Sequence, residues 1–302
     1  MRTNEYSYYT PAFREYNVAQ AVAIPFLDKD VNLVIAFPTA TGKTVLAECC
    51  FAYHLKTSDK KVAYVCPYRS LASQKHADWT GEFQLSKYGL AISTSDSRID
   101  EKELLASRLS VLTCESFDAK TRSPMYESWL ESLICVIFDE SHLLGTGRRG
   151  SAVEAAIMRF TSFNTRSRIV LLSATMSNAK EIARWIKSLN GKETKCITST
   201  WRPVKLDIHY HEVEDADDRT DRAVELARSA KNDKTIVFVH SKIVGKEILK
   251  RLRSMGIRCA FHNASLSAEK RSLIERTFND RMSGLNLLIS TSTLGAGVNM
   301  AV

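Results

Sequence analysis

Asn32-Leu-Val-Ile-Ala-Phe-Pro-Thr-Ala-Thr-Gly-Lys-Thr44, continued by Val45-Leu-Ala-Glu-Cys-Cys-Phe-Ala-Tyr-His-Leu55, reads as a strand, a tight loop and a helix. Asn32 to Phe37 is a short apolar run closed by Pro38, and Val45 to Leu55 continues without Gly or Pro. The first turn of a helix has unpaired backbone N–H groups and the positive end of the dipole, so such a loop can cradle a triphosphate. Thr39, Ala40, Thr41 and Gly42 then line the phosphates. Lys43 reaches the β- and γ-phosphates, and the Thr44 hydroxyl ligates magnesium. One residue departs from the usual pattern: Phe37 stands where the loop opens with Gly. Only Gly42 has to let backbone crowd the phosphates, so the reading holds.

A second run works with the first. Leu133-Ile-Cys-Val-Ile-Phe138 is fully apolar, as in a parallel strand buried on both faces, and it delivers Asp139 and Glu140 to the strand's carboxyl end. Asp139 is expected to hold magnesium through water, and Glu140 to orient or deprotonate an attacking water. Two acidic residues after a strand also mark a helix start; the phosphate loop decides between the readings.

Around these two runs, apolar strands near Leu33, Val62, Leu90, Val111, Ile134, Ile169 and Cys196 alternate with helix-like segments. That rhythm is the βαβ pattern of a parallel sheet covered on both faces. A second fold contributes strands near Ile236, Arg258 and Leu287, with amphipathic helices over Ser241 to Met255 and Ser267 to Phe278. The boundary is placed at Ser199-Thr-Trp-Arg-Pro-Val204, giving domains 1–200 and 201–302. The acidic stretch Glu212 to Asp218 reads as a polar loop or helix start.

Further motifs follow in order. The chain carries Gln20 ahead of the phosphate loop, Cys66-Pro-Tyr-Arg-Ser-Leu-Ala-Ser-Gln74, Thr113-Cys-Glu-Ser-Phe-Asp118, Asp139-Glu-Ser-His142 and Ser173-Ala-Thr175. It continues with Phe238-Val-His-Ser241, Phe261-His-Asn-Ala-Ser-Leu266 and Ser290-Thr-Ser-Thr-Leu-Gly-Ala-Gly-Val-Asn299. In this set, over roughly residues 13 to 302, the chain resembles the DExH-box helicases of superfamily two, in the Ski-type branch that includes archaeal DNA-repair helicases. The resemblance implies an α/β architecture of two tandem RecA-like P-loop domains, the second incomplete here. It also implies ATP and Mg2+ as cofactors, single-stranded nucleic acid as partner, and 3′ to 5′ translocation driven by hydrolysis.

The same resemblance assigns roles. Gln20 would read adenine. Arg69, Thr113 and Thr291 would touch strand phosphates, which fixes polarity without reading sequence. His142 would link the ATP site to the nucleic-acid path, Ser173 and Thr175 would couple hydrolysis to movement, and Gly297 and Asn299 would be the second fold's share of the nucleotide site. Ser141, Asn263 and Ser265 depart from the family pattern without removing a catalytic group. The sixth motif with its arginine fingers, the strand-separating hairpin, and the winged-helix and ratchet domains are expected beyond Val302. Without those fingers, nucleotide binding is expected to outlast turnover, since such a group supplies about 10³- to 10⁵-fold. The unfinished second sheet is expected to expose apolar edge.

Composition is compatible with this reading. The 302 residues are 44% hydrophobic and 25% charged, enough for one domain of common size and most of a second. No apolar run approaches a membrane span, and the N-terminal residues lack the apolar core of a signal peptide. A cytoplasmic location, or a nuclear one in a eukaryote, is the expectation. Seven cysteines with no Cys-x-x-Cys spacing read as buried reduced thiols. A net charge of +8 favours a polyanionic partner. DNA and RNA are not separated, although Trp201-Arg-Pro-Val204 resembles the DNA-repair members. Two other functions stay open: a catalytically weak nucleotide-binding regulatory fragment, and a translocase on double-stranded DNA.

Overall fold

The computed structural model describes residues 2–94, 101–174, 176–291 and 294. The chain divides into two compact units, Met1–Leu206 and Asp207–Val302. In the first unit the strands are β1 (Asn32–Ala36), β2 (Lys61–Cys66), β3 (Leu90–Ser93), β4 (Leu109–Thr113), β5 (Leu133–Phe138), β6 (Arg168–Ser173) and β7 (Thr194–Thr198). Between and around them lie α1 (Val18–Ala23), α2 (Lys43–Thr57), α3 (Arg69–Thr80), α4 (Phe83–Ser86), α5 (Glu101–Ala106), α6 (Cys114–Thr121), α7 (Glu127–Ser132), α8 (Gly147–Phe163) and α9 (Ala179–Asn190).

All seven strands are parallel, in the order β3-β4-β2-β5-β6-β1-β7. Each apolar run of the sequence falls in one of them. Along β1 the side chains alternate between the two faces of the sheet: Leu33 and Ile35 join one apolar cluster, Val34 and Ala36 the other. Phe51, Tyr64 and Trp79 pack edge to face in the first cluster, with ring centroids 5.0–6.1 Å apart. Phe117, Phe138 and Phe160 do the same in the second, at 5.5 and 5.6 Å. Helix α2 is buried nearly all round, from Leu46 to Leu55. By contrast α9 is amphipathic, burying Ala179, Ile182, Ala183 and Ile186 and stopping at Gly191 with φ 73°.

Parallel strands point their carboxyl ends to one edge, so the loops after β1, β5 and β6 gather there. The order places β6 between β1 and β5. Arg168, at the start of β6, is fully buried and donates to the carbonyls of Phe26, Leu27 and Val31, each at 2.6 Å. It thereby ties the segment entering β1 to the sheet from its opposite edge.

The second unit holds α10 (Ala216–Ser229), β8 (Thr235–Phe238), α11 (Lys242–Ser254), β9 (Cys259–His262), α12 (Ala268–Asn279) and β10 (Leu287–Ser290). Its three parallel strands run in the order β8-β10-β9. The acidic stretch starts a helix: Asp215 caps α10 by accepting from the N–H groups of Asp217 and Asp218 at 2.9 and 2.8 Å. Among the described residues no helix is long and apolar enough to cross a membrane. All seven cysteines are free, six of them buried.

Candidate nucleotide-binding site

The loop after β1 is shaped by two left-handed residues, Ala40 at φ 63° and Gly42 at φ 76°. Gly42 caps α2, and a Cβ there would stand 2.4 Å from Gln20 Nε2. That approach explains glycine at this position more sharply than phosphate crowding alone. Thr41 is buried and its hydroxyl donates to the Pro38 carbonyl at 2.9 Å, while Thr39 and Ala40 are exposed. Lys43 turns back over the loop, donating to the carbonyls of Phe37 and Pro38 at 3.1 Å each. Phe37 occupies the relaxed first position with its ring fully buried, and its N–H donates to the Ser173 carbonyl at 3.1 Å. Thr44 is half-buried on the first turn of α2.

Gln20 is buried behind the loop. Its Oε1 accepts from the Asn17 N–H at 3.1 Å and its Nε2 donates to the Gly42 carbonyl at 3.2 Å. Asn17 completes a capping box on α1 and donates through Nδ2 to the Thr41 carbonyl at 3.0 Å. Gln20 Nε2 and Asn17 Nδ2 therefore brace the loop, while Gln20 Oε1 closes the capping box of α1.

At the end of β5, Asp139 Oδ1 accepts from the Glu140 N–H at 2.8 Å, and Oδ2 accepts from the hydroxyl of Tyr64 on the neighbouring β2. Tyr64 is fully buried, and burial, followed by the Asp139 charge, pushes its phenol well above the ordinary range; it stays a donor. Glu140 sits at φ 52°. Among the described residues, Ala40 and Glu140 are the two non-glycine positions with positive φ, and both line this site. His142 Nδ1 lies 3.2 Å from Glu140 Oε2. Burial, then the Asp139 charge, raises the Glu140 carboxyl above the usual range, opposed by His142 and Lys43. Burial lowers the Lys43 ammonium, with Glu140 and Asp139 acting against it. Lys43 and both carboxylates thus share one electrostatic site although 96 positions separate Lys43 from Asp139.

Ser173 is fully buried at the end of β6, and its Oγ has no hydrogen-bond partner among the described residues. Thr175, Gly297 and Asn299 lie outside the described residues. Arg69 is exposed at the first residue of α3. Thr113 is buried and its hydroxyl accepts from the Ser116 N–H at 3.3 Å as the cap of α6, so its side chain serves the helix first. In the second unit Thr291 is half-buried after β10, its N–H donating to the His262 carbonyl at 3.2 Å.

Two groups escaped sequence reasoning. Tyr64 carried no signal, because an aromatic in an apolar strand reads as core. Lys120 is the other: it is buried, donates to Ser93 Oγ at 2.8 Å and Ser116 Oγ at 3.2 Å, and burial brings it down to about 8.

Comparison with known proteins agrees with this geometry. The DEAD/DEAH box helicase profile matches residues 17–182, more than half of the chain, and the helicase conserved C-terminal domain profile matches residues 218–302. ATP-dependent DNA helicase Hel308 of Thermoplasma volcanium is 30% identical over 93% of this chain and 45% of its own length. The Methanococcus vannielii Hel308 is 27% identical over 91% of this chain and 43% of its own. The chain therefore spans less than half the length of these curated relatives. Among solved structures, Mycobacterium smegmatis helicase Lhr, bound to ssDNA and AMP-PNP, matches 99% of this chain and 42% of its own with a TM-score of 0.69 at 22% identity. S. cerevisiae Dbp5, bound to RNA and ADP BeF3, gives a TM-score of 0.67 at 20% identity, covering 93% of this chain and 71% of its own. Phosphate loop, paired carboxylates, parallel sheet and profile matches converge: the chain belongs to the DEAD/DEAH box helicase family.

Proposed function

We propose that the chain is the motor part of an ATP-dependent helicase that moves along single-stranded DNA in the 3′ to 5′ direction. The observation that carries this reading is the shared site of Lys43, Asp139 and Glu140 at the carboxyl edge of the sheet, since phosphoryl transfer asks for positioned cations and a positioned base. The naming of the curated relatives as DNA helicases supports DNA over RNA.

The oxygen donors of Thr44 and Asp139 fit a hard divalent cation such as magnesium, which would offset phosphate charge when bound. Asp139 is presented for this by two donors, the Glu140 N–H and the Tyr64 hydroxyl, which fix its plane. Lys43 exchanges its two loop carbonyls for phosphate oxygens. Glu140, raised by burial and by Asp139, is a better proton acceptor than an exposed carboxylate and takes the proton of an attacking water. His142, 3.2 Å from Glu140, would link the base to the nucleic-acid path.

Phosphate release from ATP and magnesium, measured with and without single-stranded DNA or RNA, tests the reading. It should be run on this chain and on a chain carried to the length of its curated relatives. Stimulation of the longer chain by DNA, together with displacement of a strand from a 3′-tailed duplex, is the expected result. Hydrolysis indifferent to strands would leave a nucleotide-binding relative and end the motor reading.

A further inference from the structure

Helix α2 and strand β5, which carry Lys43 and the Asp139–Glu140 pair, also meet inside the core of the first unit at Cys50, His54 and Cys135. Cys50 and His54 are four residues apart on one face of α2, and Cys135 is the third residue of β5. All three are buried, and one ligand atom from each lies within 4.8 Å of the other two. The two sulfurs are 3.7 Å apart. Two thiolates on one tetrahedral zinc, with bonds of about 2.3 Å, stand about 3.7–3.8 Å apart. His54 Nε2 is buried with no hydrogen-bond partner among the described residues, and an unpaired buried polar atom costs free energy.

The surroundings suit a thiolate donor. Arg168 Nη1 stands 3.5 Å from Cys50 Sγ, with the rest of the guanidinium engaged by main-chain carbonyls.

We propose that Cys50, His54 and Cys135 form a binding site for a thiophilic d10 metal ion, with zinc as the fitting case. A Cys2His set leaves one tetrahedral position for water. On zinc binding, the Cys50 and Cys135 S–H bonds break with both protons released to solvent, and His54 contributes a neutral ring nitrogen. No electron is transferred. The ion would clamp the helix behind the phosphate loop to the strand behind the acidic pair, and the site does not depend on what those residues do.

The test uses the whole chain under reducing, oxygen-free conditions. Zinc chloride is added, excess is removed by gel filtration, and metal content is measured, beside Cys50→Ser, His54→Gln and Cys135→Ser. Expected are about one zinc per chain for the parent and a loss of at least tenfold in each variant. A rise in Tm of about 5–10 °C at hundredfold excess over Kd should also appear in the parent alone. Because a variant may fail to fold, the parent is also loaded with cobalt, where thiolate-to-metal charge-transfer bands of tetrahedral intensity are expected. A folded parent that retains less than a tenth of an equivalent of zinc, or that shows no thiolate bands with cobalt, overturns the site. So does mass spectrometry finding Cys50 and Cys135 joined as a disulfide in the freshly prepared reduced protein.

Discussion

Substituting Gly42 by Ala tests the fold and the site together. The new Cβ would stand 2.4 Å from Gln20 Nε2, closer than real Cβ contacts come, at a backbone φ of 76°. The left-handed backbone costs about 1–2 kcal/mol for a residue with a Cβ. Moving the Gln20 amide aside breaks its bonds to Gly42 and Asn17, at about 0.5–1.5 kcal/mol each. Against this, alanine reduces the entropy of the unfolded chain by about 0.4–1 kcal/mol. The expected loss is about 2–4 kcal/mol.

Ala40→Gly, two residues away, is the control. Ala40 is also left-handed at φ 63°, so glycine relieves strain there while adding unfolded-state freedom, and the change should fall between about 0 and 1 kcal/mol of stabilisation. The assay is urea unfolding followed by tryptophan fluorescence. All four tryptophans, Trp79, Trp129, Trp185 and Trp201, lie in the first unit, so the signal reports that unit alone. With a slope near 3 kcal/mol/M, Gly42→Ala should lower the midpoint by about 1 M, while Ala40→Gly should barely move it. A Gly42→Ala midpoint within roughly 0.2 M of the parent would refute the packing argument. So would equal losses in the two variants.

Lys43→Ala should abolish binding of a fluorescent magnesium–nucleotide, and normal binding by that variant would overturn the phosphate-loop assignment. Glu140→Gln should keep binding and stop hydrolysis, a loss of at least about 10²-fold in rate for removal of a positioned base. Tyr64→Phe keeps the ring packing but removes the donor to Asp139, so magnesium-dependent nucleotide binding should weaken by about 10–100-fold while metal-free nucleotide binding and Tm hold; an unchanged magnesium dependence would demote Tyr64 to core filler. The last prediction concerns pH. Because the Glu140 carboxyl is raised in the folded state, folding binds its proton more tightly than the unfolded chain does, so its charge destabilises above the folded pKa and that penalty fades as pH falls through it. Glu140→Gln should therefore melt higher than the parent at pH 7, with the gap closing under acid; a lower melting temperature for the variant at pH 7 would contradict this.

Much of the fold could be read residue by residue. Each apolar run named in the sequence, from Leu33 through Cys196 and from Ile236 through Leu287, falls at or beside a strand of the parallel sheets. Strands buried on both faces leave long uninterrupted hydrophobic signals, and the helices between them keep their own period. The phosphate loop and the acidic pair were legible because each is local: a glycine at a required φ, a lysine one step later, two carboxylates at a strand end. Thr113 was read as a phosphate contact; in the structure its hydroxyl also accepts from the Ser116 N–H as the cap of α6, a second role invisible without knowing where the helix starts. Gln20 was read as an adenine contact; in the structure its Nε2 also holds the loop through Gly42 while its Oε1 closes the capping box of α1.

The sequence by itself determined the element types, their order and which residues stand at the strand ends, since those follow from periodicity and from residues within a few positions of one another. Only the tertiary structure decided the partners that lie far apart in the chain. Tyr64 meets Asp139 across adjacent strands, Arg168 reaches the carbonyls before β1, and Cys50, His54 and Cys135 converge in one buried cluster. Each joins residues 75 or more positions apart across the sheet or between sheet and helix. Strand order and face choose such neighbours. They are set by the free energy of burying the whole set of elements at once, and no local pattern encodes them.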